Sequence, residues 1–153
     1  MSLQHNMLKP YRGIIVASAA RTSSSQSSTL NLPQAASYHF ICDVTAISGT
    51  GVLLDVAIQT SPDDGTTFYN ELTFPQFALD PGIGVANMFI SQSGGGAQIA
   101  ESWMSGSVGG PIAKPCILTP KYRVAWTIGP TGGSPSATFR VWLVAAAKGS
   151  RSF

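Results

Sequence analysis

The residues of this chain that could do chemistry are few and lie far apart. Its two histidines, His5 and His39, are isolated, and Cys42 and Cys116 lack further metal-ligating residues at a useful spacing. The carboxylates that could in principle pair as in a glycoside hydrolase are Asp43, Asp55, Glu71, Asp80 and Glu101. Because the chain has only 7 acidic residues, most of them are needed for turns and solubility. We therefore expect no enzymatic activity, and no catalytic residue, cofactor or metal site.

One segment concentrates polar side chains that can act on their own backbone. Its sequence is Ser61-Pro62-Asp63-Asp64-Gly65-Thr66-Thr67-Phe68. Asp63 and Asp64 can accept backbone hydrogen bonds, and Gly65 can adopt positive φ without a Cβ clash. The alternative is a Ca²⁺ site on the two aspartates, but that ion takes about six to eight oxygen ligands and no spaced third carboxylate follows. We predict a structural hairpin turn formed by Ser61, Asp63, Asp64, Gly65, Thr67 and Phe68.

Alternating apolar residues predict the strands that hold this turn. Val52 to Ile58 and Tyr38 to Ala46 place apolar side chains on one face, and so do Tyr122 to Ile128 and Ala137 to Leu143. Short turn signals between them predict a three-stranded meander from Ala36 to about Phe74 and a closing hairpin from Lys121 onward. The chain has sixteen glycines and ten prolines, and its apolar residues do not follow a helical period, so we predict that it is all-β. We predict a two-sheet antiparallel sandwich of jelly-roll or Greek-key type.

Two segments carry weaker patterns. Residues 1–33 include a Ser-rich stretch too polar to form a core, and they predict an extended N-terminal arm ahead of a sandwich domain at 34–153. Tyr11 to Ala20 is β-prone, so a strand within the protein's own sheet stays open as the alternative. Residues 98–115 have no clear period and predict a long loop. From these segments the candidate assembly contacts are Tyr11, Ile14, Ile15, Trp103 and Met104.

The composition of the chain limits the classes of function and partner that remain. Charged residues make up only 10% of the chain and the net charge is +2, with the basic residues scattered singly, so a nucleic-acid partner is not expected. No apolar run is long enough for a transmembrane helix, and the first residues lack the order of a secretory signal. We expect synthesis in a cytoplasm and no membrane partner. Cys42 and Cys116 are interpreted as small buried hydrophobic residues, with a disulfide between them possible but not required.

Four segments together resemble a known group of proteins. They are Asp43-Val44-Thr45-Ala46-Ile47-Ser48-Gly49-Thr50, Leu54 to Phe68, Tyr122-Arg123-Val124-Ala125-Trp126-Thr127-Ile128-Gly129 and Ser136-Ala137-Thr138-Phe139-Arg140-Val141. In type and order they are similar to small β-sandwich structural proteins of tailed-bacteriophage virions. The resemblance implies a capsid decoration or cement protein on the virion surface, made in the bacterial host cytoplasm. The implied partners are the major capsid protein and further copies of the chain, which we expect to form a homotrimer.

Two other functions remain to be weighed. A carbohydrate-binding or structural module of a phage tail or fibre would use an exposed indole of Trp103, Trp126 or Trp142 to stack on a sugar ring. A sialidase is suggested only by the turn at Ser61 to Phe68, which resembles the Asp-box, a hairpin of sialidase propellers and of many unrelated β-proteins. Because propellers repeat that motif and this chain has one copy, we set the sialidase aside.

Overall fold

A computed structural model describes residues 11–31, 37–78, 81–89, 99–104, 112–113, 121–130 and 133–146. Within them every regular element is a β-strand. The strands are β1 (Tyr11–Arg21), β2 (Ser25–Gln26), β3 (Leu30–Asn31), β4 (Ser37–Ser48), β5 (Leu53–Thr60), β6 (Tyr69–Thr73), β7 (Ile83–Phe89), β8 (Ile99–Met104), β9 (Ile112–Ala113), β10 (Lys121–Gly129) and β11 (Ser136–Ala146). The all-β prediction is confirmed.

The strands form two antiparallel sheets that pack face to face. The larger sheet has the order β1-β11-β4-β7-β8-β9, and the smaller has β2-β10-β5-β6 with β3 also paired to β10. This arrangement confirms the two-sheet sandwich. The jelly-roll or Greek-key connection pattern stays a prediction.

The core lies between the sheets and follows the predicted alternation. The inward side chains are Tyr38, Phe40, Cys42, Val44, Phe139, Val141 and Leu143 from the larger sheet and Leu54, Val56, Ile58, Leu72, Tyr122, Val124 and Ile128 from the smaller. One position departs from it: Ala46 is exposed, while Ile47 packs against the core. The register jumps there from Phe139↔Val44 to Thr138↔Ala46, so a β-bulge at Thr45 exchanges the two faces of β4.

Only one of the three predicted hairpins forms. β5 pairs with β6 across the Ser61 to Phe68 turn, whereas β4 and β10 each lead into a strand of the other sheet. The meander from Ala36 and the closing hairpin from Lys121 are therefore wrong. The two crossovers pack on each other, since a Cβ on Gly49 would lie 3.1 Å from Pro135 Cα. A strand with one apolar face can bury that face whether the chain turns back in the same sheet or crosses to the opposite sheet. The alternation of apolar and polar residues is the same in both cases, so it does not distinguish a crossover from a hairpin.

The N-terminal segment belongs to the sandwich over residues 11–31. β1 pairs with β11 from Tyr11↔Ala145 to Arg21↔Ala137, and Val16 is buried in the core. In place of the predicted free arm, the structure has the alternative, a strand in the protein's own sheet. The Ser-rich stretch bonds to β10 through its hydroxyls: the Val124 N–H donates to Ser27 Oγ and the Ile128 N–H to Ser24 Oγ, both at 3.0 Å. The polar side chains of this stretch therefore hydrogen-bond to the backbone of β10 and do not contribute to the core.

The predicted loop at 98–115 also contains strands. β8 pairs with β7 from Gly84↔Met104 to Met88↔Ala100, and β9 pairs with β8. The other positions of that segment lie outside the described residues. The sequence Ile99-Ala100-Glu101-Ser102-Trp103-Met104 alternates too weakly in hydrophobicity to predict a strand, and its pairing comes from the neighbouring β7.

Candidate functional site

The Ser61 to Phe68 turn is held by its own polar side chains. Ser61 Oγ donates to Asp63 Oδ1 at 2.8 Å, and the Gly65 N–H donates to Ser61 Oγ at 2.7 Å. The Thr67 N–H donates to Asp63 Oδ1 at 2.7 Å. Asp64 and Gly65 both have positive φ, 57° and 99°. These polar groups are bonded within the turn, which is the arrangement of a structural turn.

The charge of Asp63 is stabilised by these contacts. Hydrogen bonds from Thr67, first from its side chain and then from its backbone, lower the pKa of the Asp63 carboxyl to about 2, and the Ser61 hydroxyl adds to the effect. Its neighbour Asp64 lies 3.8 Å from Lys121 Nζ on the open surface, where such a pair contributes little. Among the described residues, no group of three or more His, Cys, Asp or Glu side chains could hold a metal ion.

Phe68 connects the turn to the outer face of the smaller sheet. The Arg123 guanidinium stacks on the Phe68 ring at 4.1 Å and donates from Nε to Gln59 Oε1 at 2.6 Å. Gln59 Nε2 in turn donates to Asn70 Oδ1 at 2.7 Å. These planar side chains satisfy one another, so this face is polar and internally bonded. Next to it, Tyr69 is among the most exposed large hydrophobic side chains.

Arg21 closes the open side of the sandwich where the chain passes from the larger to the smaller sheet. Its guanidinium donates to the carbonyl oxygens of Ala17, Ala19 and Phe139 at 2.8, 2.8 and 2.9 Å. It also stacks on the Phe139 ring at 4.2 Å and the Trp126 ring at 4.9 Å. Trp126 Nε1 donates to the Ser23 carbonyl at 3.1 Å. The Trp126 ring is therefore occupied within the protein and is not a free platform for a sugar.

The outer face of the larger sheet carries a row of apolar residues, which we call the outer row. Backbone pairing aligns Ile14 with Trp142 and Trp142 with Ile41. Ile14 is 49% exposed, while Trp142 and Ile41 are half-buried. The row crosses β1, β11 and β4 on the face that the core does not use. A row of this kind is a candidate for contact with another protein.

Charged residues flank the outer row. Arg140 donates from Nε to Asp43 Oδ2 at 2.7 Å and lies 5.3 Å above the Trp142 ring. On the other side, pairing aligns Arg12, Val144 and His39 across the same three strands. The outer face thus has an apolar centre with charges at defined positions around it.

The predicted assembly contacts do not all fall on this surface. Tyr11 is 47% exposed and Ile14 belongs to the outer row, whereas Ile15 is partly buried and packs against the core, so its role as an assembly contact stays a prediction. Trp103 and Met104 lie in β8 and not in a loop, and their side chains are outside the described part. Sequence reasoning missed Ile41, and it named Trp142 only as a candidate platform for a sugar. A signal was present, because β4 and β11 carry apolar residues on their second face as well.

The cysteines show no reactive character in the described part. Cys42 is a free, fully buried thiol, and burial raises its pKa to about 12, with the Asp43 charge adding to the rise and Arg21 opposing it. Such a thiol stays protonated at neutral pH and behaves as a small hydrophobic residue. Cys116 lies outside the described residues, so the possible pairing of the two stays a prediction.

Comparisons with known proteins give no relative. No protein-family model matches the chain, and no curated protein or solved structure is significantly similar to it. In the part of the chain that the structure describes, no helix is long and apolar enough to cross a membrane.

Proposed function

We propose that this protein is a structural virion protein, a capsid decoration or cement protein that stabilises a tailed-phage head by binding between capsid subunits. The observation that carries the proposal is the outer row, an apolar stripe on a sheet face that the protein's own core does not use. Exposed apolar stripes bordered by charges are typical of surfaces that bind other proteins. The function needs no catalytic residue, cofactor or metal.

The sequence resemblance supports the same class. Its four segments coincide with the end of β4, with β5 and its turn, and with β10 and β11. β4 and β11 are neighbouring inner strands of the larger sheet, and β5 and β10 are neighbouring inner strands of the smaller sheet. Both crossovers connect strands of this set. The resemblance therefore rests on residues that build the sandwich, and the contact residues Ile14 and Trp142 lie outside it.

A binding experiment with capsids tests the proposal. Empty heads are assembled from the major capsid protein encoded in the same genome, mixed with the purified protein and sedimented. We expect saturable co-sedimentation and a higher melting temperature of the heads. Ile14→Lys should weaken binding by about tenfold or more, because it places a charge in the apolar row. The matched control Tyr69→Lys changes an exposed residue of β6 in the other sheet and should bind normally.

Other outcomes would replace the proposal. If the protein stays in the supernatant with heads but sediments with purified tails, the tail or fibre module becomes the function. If it binds one class of sugar on a glycan array and no virion part, the carbohydrate-binding module does. Equal binding of Ile14→Lys and wild-type protein to heads would remove the outer row from the contact.

A further inference from the structure

The outer face of the smaller sheet carries a groove that runs across its strands. Val124 and Ile58 point into the core, so their strand neighbours Ala125 and Ala57 point outward, where backbone pairing places them side by side. Ala57 is only 8% exposed, because longer side chains stand on both sides of it along β5. The two alanines therefore form the floor of the groove.

Polar side chains form the two walls of this groove. In the first wall Arg123 Nε donates to Gln59 Oε1 at 2.6 Å, and Gln59 Nε2 donates to Asn70 Oδ1 at 2.7 Å. In the second wall Gln76 Nε2 donates to both carboxylate oxygens of Asp55, at 3.0 and 3.1 Å. Gln59 and Asp55 lie four positions apart on β5, which separates the Cα atoms of the two walls by about 13 Å.

The bonds within the walls fix these planar groups and leave their outer atoms available. The Arg123 guanidinium stacks on Phe68 at 4.1 Å and, among the described residues, makes its hydrogen bond through Nε, so its terminal N–H groups stay available as donors. Within the same residues the N–H groups of the Asn70 amide and the carbonyl oxygen of the Gln76 amide are also without a partner. The first wall thus presents donors and the second presents acceptors. Side chains that are already fixed lose little conformational freedom when a ligand binds.

We propose that this groove binds a neutral oligosaccharide. The hydroxyl groups of a sugar both donate and accept hydrogen bonds, so they match a wall of donors and a wall of acceptors at the same time. A sugar ring also has an apolar face, which fits the methyl groups of the floor. The charges favour a ligand without net charge, because Arg123 stands in one wall and Asp55 in the other, and each repels the ion that the other attracts.

A protein partner fits this groove less well than a sugar. Contacts between proteins take most of their binding energy from large apolar or aromatic side chains that fill pockets. The floor here offers only the methyl groups of Ala57 and Ala125, and the Phe68 ring already stacks against Arg123. The polar walls remain as the main source of binding energy, which is the situation of a sugar site.

The inference goes beyond the proposed function and does not depend on it. The groove and the outer row lie on the outer faces of two sheets that pack face to face, so they point in opposite directions. A protein bound to a head through the outer row therefore presents the groove to the surroundings. In that arrangement each copy gives the head one sugar-binding site.

A glycan array with neutral and acidic members is the first test. The full-length protein is displayed in many copies on fluorescent beads, because a single polar, solvent-exposed site is weak and many copies raise the retention. The beads should bind one class of neutral glycans, and glycans that carry sialic acid or sulfate should bind no better than their neutral parents.

A titration then places the bound sugar on the protein. The neutral oligosaccharide with the strongest array signal is added to isotope-labelled protein, with an expected Kd on the order of 1 mM. The methyl NMR signals of Ala57 and Ala125 should shift as the site fills. The methyl signal of Ala46, which is exposed on β4 of the larger sheet, should not shift.

Substitutions in the groove test its role in binding. Ala125→Leu fills the floor and should weaken binding of the same oligosaccharide about tenfold or more. The matched control Ala46→Leu makes the same change on the other sheet and should bind normally. Asp55→Ala covers a failure of Ala125→Leu to fold, and it should weaken binding about fivefold or more because the second wall loses its charged acceptors. Circular dichroism and thermal melts establish which variants are folded.

Several results would overturn the sugar site. They are an array without a neutral glycan signal, binding that is confined to acidic glycans, unchanged methyl signals of Ala57 and Ala125, and folded groove variants that bind as tightly as wild type. Displacement of the protein from heads by saturating oligosaccharide would also overturn it, because the two ligands would then share a surface.

Head binding reports on the proposed function separately. Ala125→Leu should co-sediment with heads as wild type does, since the change lies on the sheet opposite the outer row. A protein that binds heads and no glycan keeps the capsid function and loses the sugar site. A protein that binds a neutral glycan in the groove and no heads keeps the sugar site and loses the capsid function.

Discussion

Arg21 is expected to contribute more to stability than any other surface-accessible side chain of the described residues. Replacing it with Met keeps a long apolar side chain but removes the charge and all donors. Two of the three lost hydrogen bonds, to Ala17 and Ala19, are exposed to water, which can replace them. The bond to the Phe139 carbonyl is partly buried, and its loss leaves an acceptor without a donor.

These contacts give the expected magnitude. The partly buried charged hydrogen bond contributes about 1.5–3 kcal/mol, and each ring contact adds about 0.5–1 kcal/mol. Burial lowers the pKa of the Arg21 guanidinium, so part of the gain offsets its desolvation. We expect Arg21→Met to lower the free energy of unfolding by about 2–4 kcal/mol, or the Tm by roughly 5–15 °C for a chain of this length.

Urea unfolding followed by circular dichroism measures the change. Arg21→Lys is the matched control, because an ammonium keeps the charge but cannot reach three carbonyls and stack on a ring. It should recover less than half of the loss. A double-mutant cycle with Trp126→Leu isolates the ring contact, with an expected coupling of about 0.5–1 kcal/mol. If Arg21→Met unfolds within about 0.5 kcal/mol of wild type, the described contacts do not stabilise the fold.

Three further perturbations test the turn and the N-terminal strands. Gly65→Val should cost about 1–3 kcal/mol in urea unfolding through backbone strain at φ 99°, and Gly65→Asn should cost less because Asn tolerates positive φ better. The folded pKa of Asp63 is about 2 against an ordinary 3.8, so its stabilisation is present above pH 3.8 and is lost as the pH falls toward 2; Asp63→Asn should flatten that part of the acid melting profile. A chain beginning at residue 33 lacks β1, β2 and β3 and should be molten or insoluble by circular dichroism and light scattering, in contrast to the folded fragment that a free arm would leave.

The parts of the fold that the sequence could predict are those governed by local chemistry. The polar side chains of the Ser61 to Phe68 turn form hydrogen bonds within the turn, so the residue types alone predict it. The alternation of β5 and β10 likewise identifies their inward faces. In each case the deciding contacts lie within a few residues or follow from the two-residue period of a strand.

The parts that could not be predicted depend on distant partners. A Gly-rich connection after Ser48 is compatible with both a hairpin and a crossover, and the choice is made by β11, which pairs with β4. The Ser-rich segment had no apolar signal because its hydroxyls pair with the β10 backbone. For the candidate surface, Ile14 was predictable as an apolar residue outside the core pattern. The row itself was not predictable, because its alignment depends on the register between three strands, which the sequence of no single strand specifies.

The pairing of β1 with β11 has a consequence for the order in which the molecule folds. β11 is an inner strand of the larger sheet, bordered by β1 on one side and β4 on the other. During synthesis both neighbours leave the ribosome long before β11, and each has an unpaired edge and an apolar face until it arrives. Closing such long loops slows folding and extends the exposure of those edges. We expect folding over milliseconds to seconds, with the larger sheet completed last, so nascent chains halted before residue 136 should need a chaperone to stay soluble.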